Sequence, residues 1–142
     1  MIVVLDASVI LKWLLEDPAR EADTEKASAV IESVVSGELE ILQPVHWLAE
    51  VAAVIARLAP DDAIHDVGML AALQFPTTDD LTVMRRATQL AVETSQHLAD
   101  TLYHAVALEH AEALLVTADD RYYTKAKSYG TIVTLSEWQP AG

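Results

Sequence analysis

The sequence predicts an α/β fold, a central parallel sheet of four to five strands flanked by helices. Three observations carry that expectation. Short β-rich runs alternate with longer stretches of helical period along the chain. Ile2–Leu5 (IVVL) reads as a buried strand, and Ala113–Thr117 (ALLVT) is the clearest strand in the second half. Acids follow both, Asp6 after the first and Asp119-Asp120 after the second.

Taken in order, the first strand leads into a short helix over residues 8–15. Residues 22–35 are helical in period, and Gly37 suits the end of that helix because glycine tolerates the left-handed conformation helices commonly end in. A short strand is expected over 39–42. Pro44 then opens a helix reaching residue 58, since a proline in the first turn loses no hydrogen bond. Residues 60–73 form an amphipathic helix with Asp61 or Asp62 near its start, and 74–77 is a strand candidate. Asp79 or Asp80 caps a helix to residue 94, and a further helix covers 98–111. After Ala113–Thr117 come a helix over 120–128 and a closing strand over 131–135. No linker, repeat or low-complexity stretch interrupts the series, so one domain over residues 1–142 is expected. In parallel sheets of this kind, sites gather outside the carboxyl ends of the strands.

Hydrophobic residues make up 52% of the chain, enough for a sizeable core. There is no cysteine, which removes disulfides, thiolate metal sites and cysteine nucleophiles and fits a cytoplasmic protein. The apolar N-terminal run is broken by Asp6 and Lys12 and has no basic segment before it, so neither a signal peptide nor a membrane span is expected. Nine basic residues against twenty-two acids leave a formal charge of −13. That balance argues against a broad basic surface for nucleic acid and is compatible with binding hard cations.

Most of these acids are solvated surface; four have positions that surface acids do not require. Asp6 follows five apolar residues, and burying a carboxylate there costs several kcal/mol without compensation. A helix cap by Asp6 or Ser8 is the plain alternative. Thr117-Ala118-Asp119-Asp120 resembles a capping box, which needs one acid and leaves the other to face the crevice. Glu50 lies on the flank of a helix whose core face is Trp47, Val51, Val54, Ile55 and Leu58, where an acid paired with Arg57 or simply solvated is the alternative. Asp100 shares a polar stripe with His104 on an otherwise apolar helix, and taken alone it is better explained by an Asp100–His104 pair or as an acid favourably placed in the helix's first turn. Carboxylates drawn into one crevice repel one another, and a divalent cation converts that repulsion into a binding site. Ligands that are all oxygen suit Mg²⁺ or Mn²⁺ rather than Zn²⁺, and such a site suits attack on a phosphate. No nucleophile elbow, phosphate-binding P-loop or zinc-protease motif is present, and the five histidines lack zinc-site spacing.

The ordered set MIVVLDASVILKWLL, WLAEVAAVI, LADTLYHAVAL and LLVTADDRYYTKA resembles the PIN-domain ribonucleases, most closely the VapC toxins of VapBC toxin–antitoxin pairs. The resemblance implies an acidic site at Asp6, Glu50, Asp100 and Asp119, with Asp120 as a further metal-binding acid and Ser8 and Thr117 as supporting hydroxyls. It implies Mg²⁺- or Mn²⁺-dependent cleavage of RNA, commonly tRNA or rRNA, leaving a 3′-hydroxyl and a 5′-phosphate. It also implies a homodimer neutralised by a VapB-type antitoxin across the active-site groove. Arg121 and Lys125, four residues apart after the last acids, are the expected RNA contacts, whereas Arg85 and Arg86 read as salt-bridged surface. Two other readings stay open: a non-catalytic PIN-like module binding RNA or protein, and a metal-dependent phosphatase-like enzyme.

Overall fold

The structure, a computed structural model, describes residues 1–15 and 23–140. Its centre is a four-stranded, all-parallel sheet in the order β2-β1-β5-β6. These strands are β1 (Ile2–Leu5), β2 (Glu40–Ile41), β5 (Ala113–Thr117) and β6 (Ile132–Thr134). A second, two-stranded parallel sheet joins β3 (Gln43–Pro44) to β4 (Thr77–Thr78). The expected α/β class with a central parallel sheet is borne out. Seven α-helices are present among the described residues: α1 (Ala7–Leu15), α2 (Thr24–Val35), α3 (Trp47–Leu58), α4 (Ala63–Ala72), α5 (Leu81–Thr94), α6 (Leu98–Leu108) and α7 (Asp120–Ala126). A 3₁₀ turn, Lys127–Tyr129, prolongs α7. The expected start of the second helix at Ala22 lies outside the described residues.

Apolar runs on β1 and β5 place these strands at the middle of the sheet. Val3, Val4, Leu5, Leu115 and Val116 are fully buried, and α1 and α6 both pack against the two strands. Each such side chain contributes roughly 1.5–3 kcal/mol by leaving water. That burial anchors the backbone from which Asp6 and Asp119 emerge. Leu5 pairs in register with Val116, so the two strands end side by side. With β2 on one side of β1 and β5 on the other, the chain reverses direction of growth at β1, where α/β sheets open a crevice.

Several boundaries depart from the sequence expectation for local reasons. Pro44 opens no helix. The Gln43 N–H donates to Pro76 O (2.9 Å) and the Val45 N–H to Thr78 O (3.3 Å), which draws the segment into β3, and α3 starts at Trp47. Pro44 is tolerated there because the strand has a partner on one side only. The strand expected at 74–77 is Thr77–Thr78, and α4 begins at Ala63 rather than Pro60. On α3, Trp47, Val51 and Ile55 are buried as expected, but Leu58 is exposed. Gly37 behaves as anticipated: at φ 85° it closes α2, its N–H donating to Val34 O (3.1 Å).

Candidate active site

Asp6 stands at the carboxyl end of β1, with 8% of its surface exposed. Its N–H donates to Val116 O (3.1 Å), continuing the pairing with β5 one residue past the strand. Its Oδ2 accepts from the Ser8 N–H (3.1 Å) and the Ser8 hydroxyl (2.5 Å). Ser8 Oγ in turn accepts from the Ala118 N–H (2.9 Å), so one hydroxyl links the acid after β1 to the loop after β5. Burial pushes the Asp6 carboxyl up to about 7 against the lowering effect of the Ser8 bonds, and the charges of Asp100 and Glu50 add to the rise. The cap reading holds, since Asp6 binds the Ser8 amide in the first turn of α1, and the same carboxyl also feels the charges of Asp100 and Glu50.

Asp119 is the N-cap of α7, its Oδ1 accepting from the Tyr122 N–H (3.0 Å). The buried Thr117 hydroxyl accepts from the Asp119 N–H (3.0 Å) and fixes the turn that presents the acid. Capping occupies one carboxylate oxygen, and the charge of Asp119 raises the pKa of Asp100. The expected division of labour between the two neighbouring acids does not hold, because Asp119 caps and also acts on the cluster. Asp120 lies exposed on the first turn of α7.

Asp100 projects from the first turn of α6. Its pKa is raised by burial, then by Glu50 and Asp119, with His97 and His46 opposing. The alternative pairing of Asp100 with His104 is not formed. His104 is fully buried, donates from Nε2 to Gly130 O (2.8 Å) and accepts at Nδ1 from the Tyr122 hydroxyl (2.9 Å). Burial, with the Arg86 charge adding, holds its pKa below the usual value although the Gly130 carbonyl opposes. This histidine ties α6 to α7 and contributes structure rather than charge.

Glu50 does not turn to Arg57. Its buried Oε2 lies 3.3 Å from His46 Nε2, outside hydrogen-bond geometry, while that nitrogen donates to Ala99 O (3.0 Å). Burial pulls the His46 pKa down, but Glu50, the Ala99 carbonyl and Asp100 more than offset this and leave it raised. The Tyr103 hydroxyl is buried without a hydrogen-bond partner among the described residues. Its pKa is raised by burial first and then by Glu50, Asp6 and Asp100. Sequence reasoning missed His46 and Tyr103. The i, i+4 spacing of His46 and Glu50 across one helical turn was the available signal.

Asp6, Glu50, Asp100 and Asp119 thus act on one another electrostatically at the carboxyl edge of the sheet. Among the described residues, no three carboxylates or imidazoles stand close enough as placed to enclose an ion. By chemistry the residues fit a hard divalent cation: the donors are all oxygen, Glu50 Oε2 is buried without a hydrogen bond, and Asp6 is held protonated to about pH 7 beside like charges. Arg121 and Lys125 are exposed on α7, adjoining Asp119. Arg86 pairs with Glu109 (3.1 Å), as the surface reading expected. No helix among the described residues is long and apolar enough to cross a membrane.

No curated protein matches the chain significantly. The profile of the PIN domain, a family whose members are generally metal-dependent nucleases, matches residues 3–128. With that match over most of its length, and with acids collected at the carboxyl edge of a parallel sheet, the chain belongs to the PIN domain family.

Proposed function

We propose that this protein is a Mg²⁺- or Mn²⁺-dependent endoribonuclease and the toxin of a VapBC-type toxin–antitoxin pair. The observation that carries the reading is Asp6: a carboxyl at the end of a buried strand, pushed up to about 7, with Asp100 and Glu50 both opposing its ionisation. Such repulsion destabilises an empty site and favours one holding a cation. Asp6, Asp100 and Asp119 would hold the ion, with Glu50 as a further ligand or acting through water and Asp120 as an outlying acid. When bound, the cation supplies an activated water and neutralises charge on a phosphodiester attacked in line. Ser8 and Thr117 orient Asp6 and Asp119 through the hydrogen bonds described above. Arg121 and Lys125 meet RNA phosphates, which the bulk charge of −13 otherwise repels. A homodimer, and a VapB-type antitoxin lying across the groove, complete the reading, with tRNA or rRNA as the target.

Inducible expression of wild type and Asp6→Asn without any partner protein tests the toxin role. Growth arrest by the wild type alone is expected; equal tolerance of both contradicts it. Offering RNA and a small phosphate ester side by side separates the ribonuclease from a phosphatase-like enzyme. Binding of RNA without cleavage would instead identify a non-catalytic module.

A further inference from the structure

Gln43 is a fully buried polar residue in the middle of the fold. Its side-chain Oε1 accepts from the Leu5 N–H (2.8 Å) and its Nε2 donates to the Leu5 carbonyl (2.8 Å). The need for it follows from the topology. Strand β2 pairs only with Ile2 and Val3, so it ends before β1 does. Past Val3, the edge of β1 that faces away from β5 would present the Leu5 amide and carbonyl unpaired inside the protein. A buried group left unpaired there gives up its hydrogen bond to water with nothing in return. The Gln43 amide stands in for the missing strand and satisfies both.

The consequence reaches the acids. Leu5 immediately precedes Asp6, whose own N–H is held from the opposite side by Val116 O (3.1 Å). Gln43 also belongs to β3, from which the chain passes through His46 into α3 and Glu50. One side chain therefore joins the strand that ends at Asp6 to the segment that leads to Glu50. We propose that Gln43 is a positioning residue that fixes the spacing of Asp6 and Glu50 for binding a divalent cation. The inference rests on the metal-site reading given above.

The test is calorimetric titration of the purified protein with Mn²⁺, alongside NMR hydrogen exchange of the Leu5 amide without metal. Gln43→Met keeps the volume and removes both bonds; Gln43→Glu keeps the acceptor and serves if the first variant does not fold. Leu90→Ala, a core truncation on α5, is the control for lost stability alone. Partners that orient metal ligands typically change affinity by roughly 10–100-fold, and a loss of that order is expected for Gln43→Met, with a smaller one for Gln43→Glu. Leu5 exchange should accelerate in Gln43→Met and stay near wild type in Gln43→Glu, which retains the acceptor of the Leu5 N–H, while Leu90→Ala keeps wild-type Mn²⁺ affinity. Wild-type affinity in the Gln43 variants, or an equal loss in Leu90→Ala, overturns the positioning role. A wild-type protein that binds no Mn²⁺ overturns the metal-site reading itself, and the proposal with it.

Discussion

Asp6 joins two properties that ordinarily exclude each other, near-complete burial and a carboxyl group faced by other carboxyls. The metal-free protein should show the cost directly. The folded state holds this proton more tightly than the unfolded chain, so stability falls as pH rises from about 4 to about 7 and stays lowered above that. A carboxyl displaced from 3.8 to about 7 corresponds to roughly 4 kcal/mol once ionised. Asp6→Asn should therefore flatten the slope in urea denaturation at several pH values; an unchanged slope would remove Asp6 from the account. His104 acts in the opposite direction. Its pKa is lowered in the fold, so its contribution is complete above about 6.5 and is lost as acid protonates it. The Ser8 hydroxyl supports the acid and the Ala118 amide together. Ser8→Ala should cost about 1–3 kcal/mol in the same denaturation assay, and wild-type stability would deny it that role.

Helix α7 shows how one element serves folding and site at once. Asp119 caps it through Oδ1 and also raises the pKa of Asp100. Asp119→Ala should cost about 1 kcal/mol of stability, whereas Asp119→Asn keeps the cap and should cost a few tenths. Both should abolish RNA cleavage. Asp80, which caps α5 through the Thr82 N–H (3.3 Å) far along the chain, supplies the comparison: Asp80→Ala should lower stability similarly and leave cleavage intact. Cleavage by Asp119→Asn at the wild-type rate would reduce Asp119 to a cap. At this scale the sequence was informative where hydrophobic pattern governs. β1 and β5 were readable to the residue, because continuous apolar runs are what a doubly covered strand requires. Pro44 misled because a first-turn proline and an edge-strand proline look alike until Pro76 and Thr78 arrive as partners from 33 residues further along the chain.

Across the whole molecule, alternating strand and helix patterns sufficed for the class and the parallel sheet, since helical crossovers join parallel strands, whereas the order β2-β1-β5-β6 came only with the structure. The site was readable only in part. Strand-end acids follow from the rule that places sites at carboxyl edges, so Asp6 and Asp119 could be singled out. His46, Tyr103 and Gln43 were not. Each acts through a group distant in the chain: Ala99 O for His46, and Leu5 for Gln43, with Tyr103 set among the acids. Apart from the i, i+4 spacing of His46 and Glu50, local spacing carries no record of such meetings. The same distance explains why helical spacing suits an Asp100–His104 pair although Tyr122 and Gly130 hold that ring. The overall charge of −13 sets one further expectation, that RNA association depends steeply on whatever positive charge the site gathers. The most direct test of the central claim is cleavage of RNA by the purified protein as Mn²⁺ is added and then removed with a chelator, for wild type beside Asp6→Asn. Cleavage that appears with Mn²⁺, disappears with the chelator and is absent from Asp6→Asn is the predicted result. Cleavage that persists in Asp6→Asn, or none by wild type at any Mn²⁺ concentration, would contradict it.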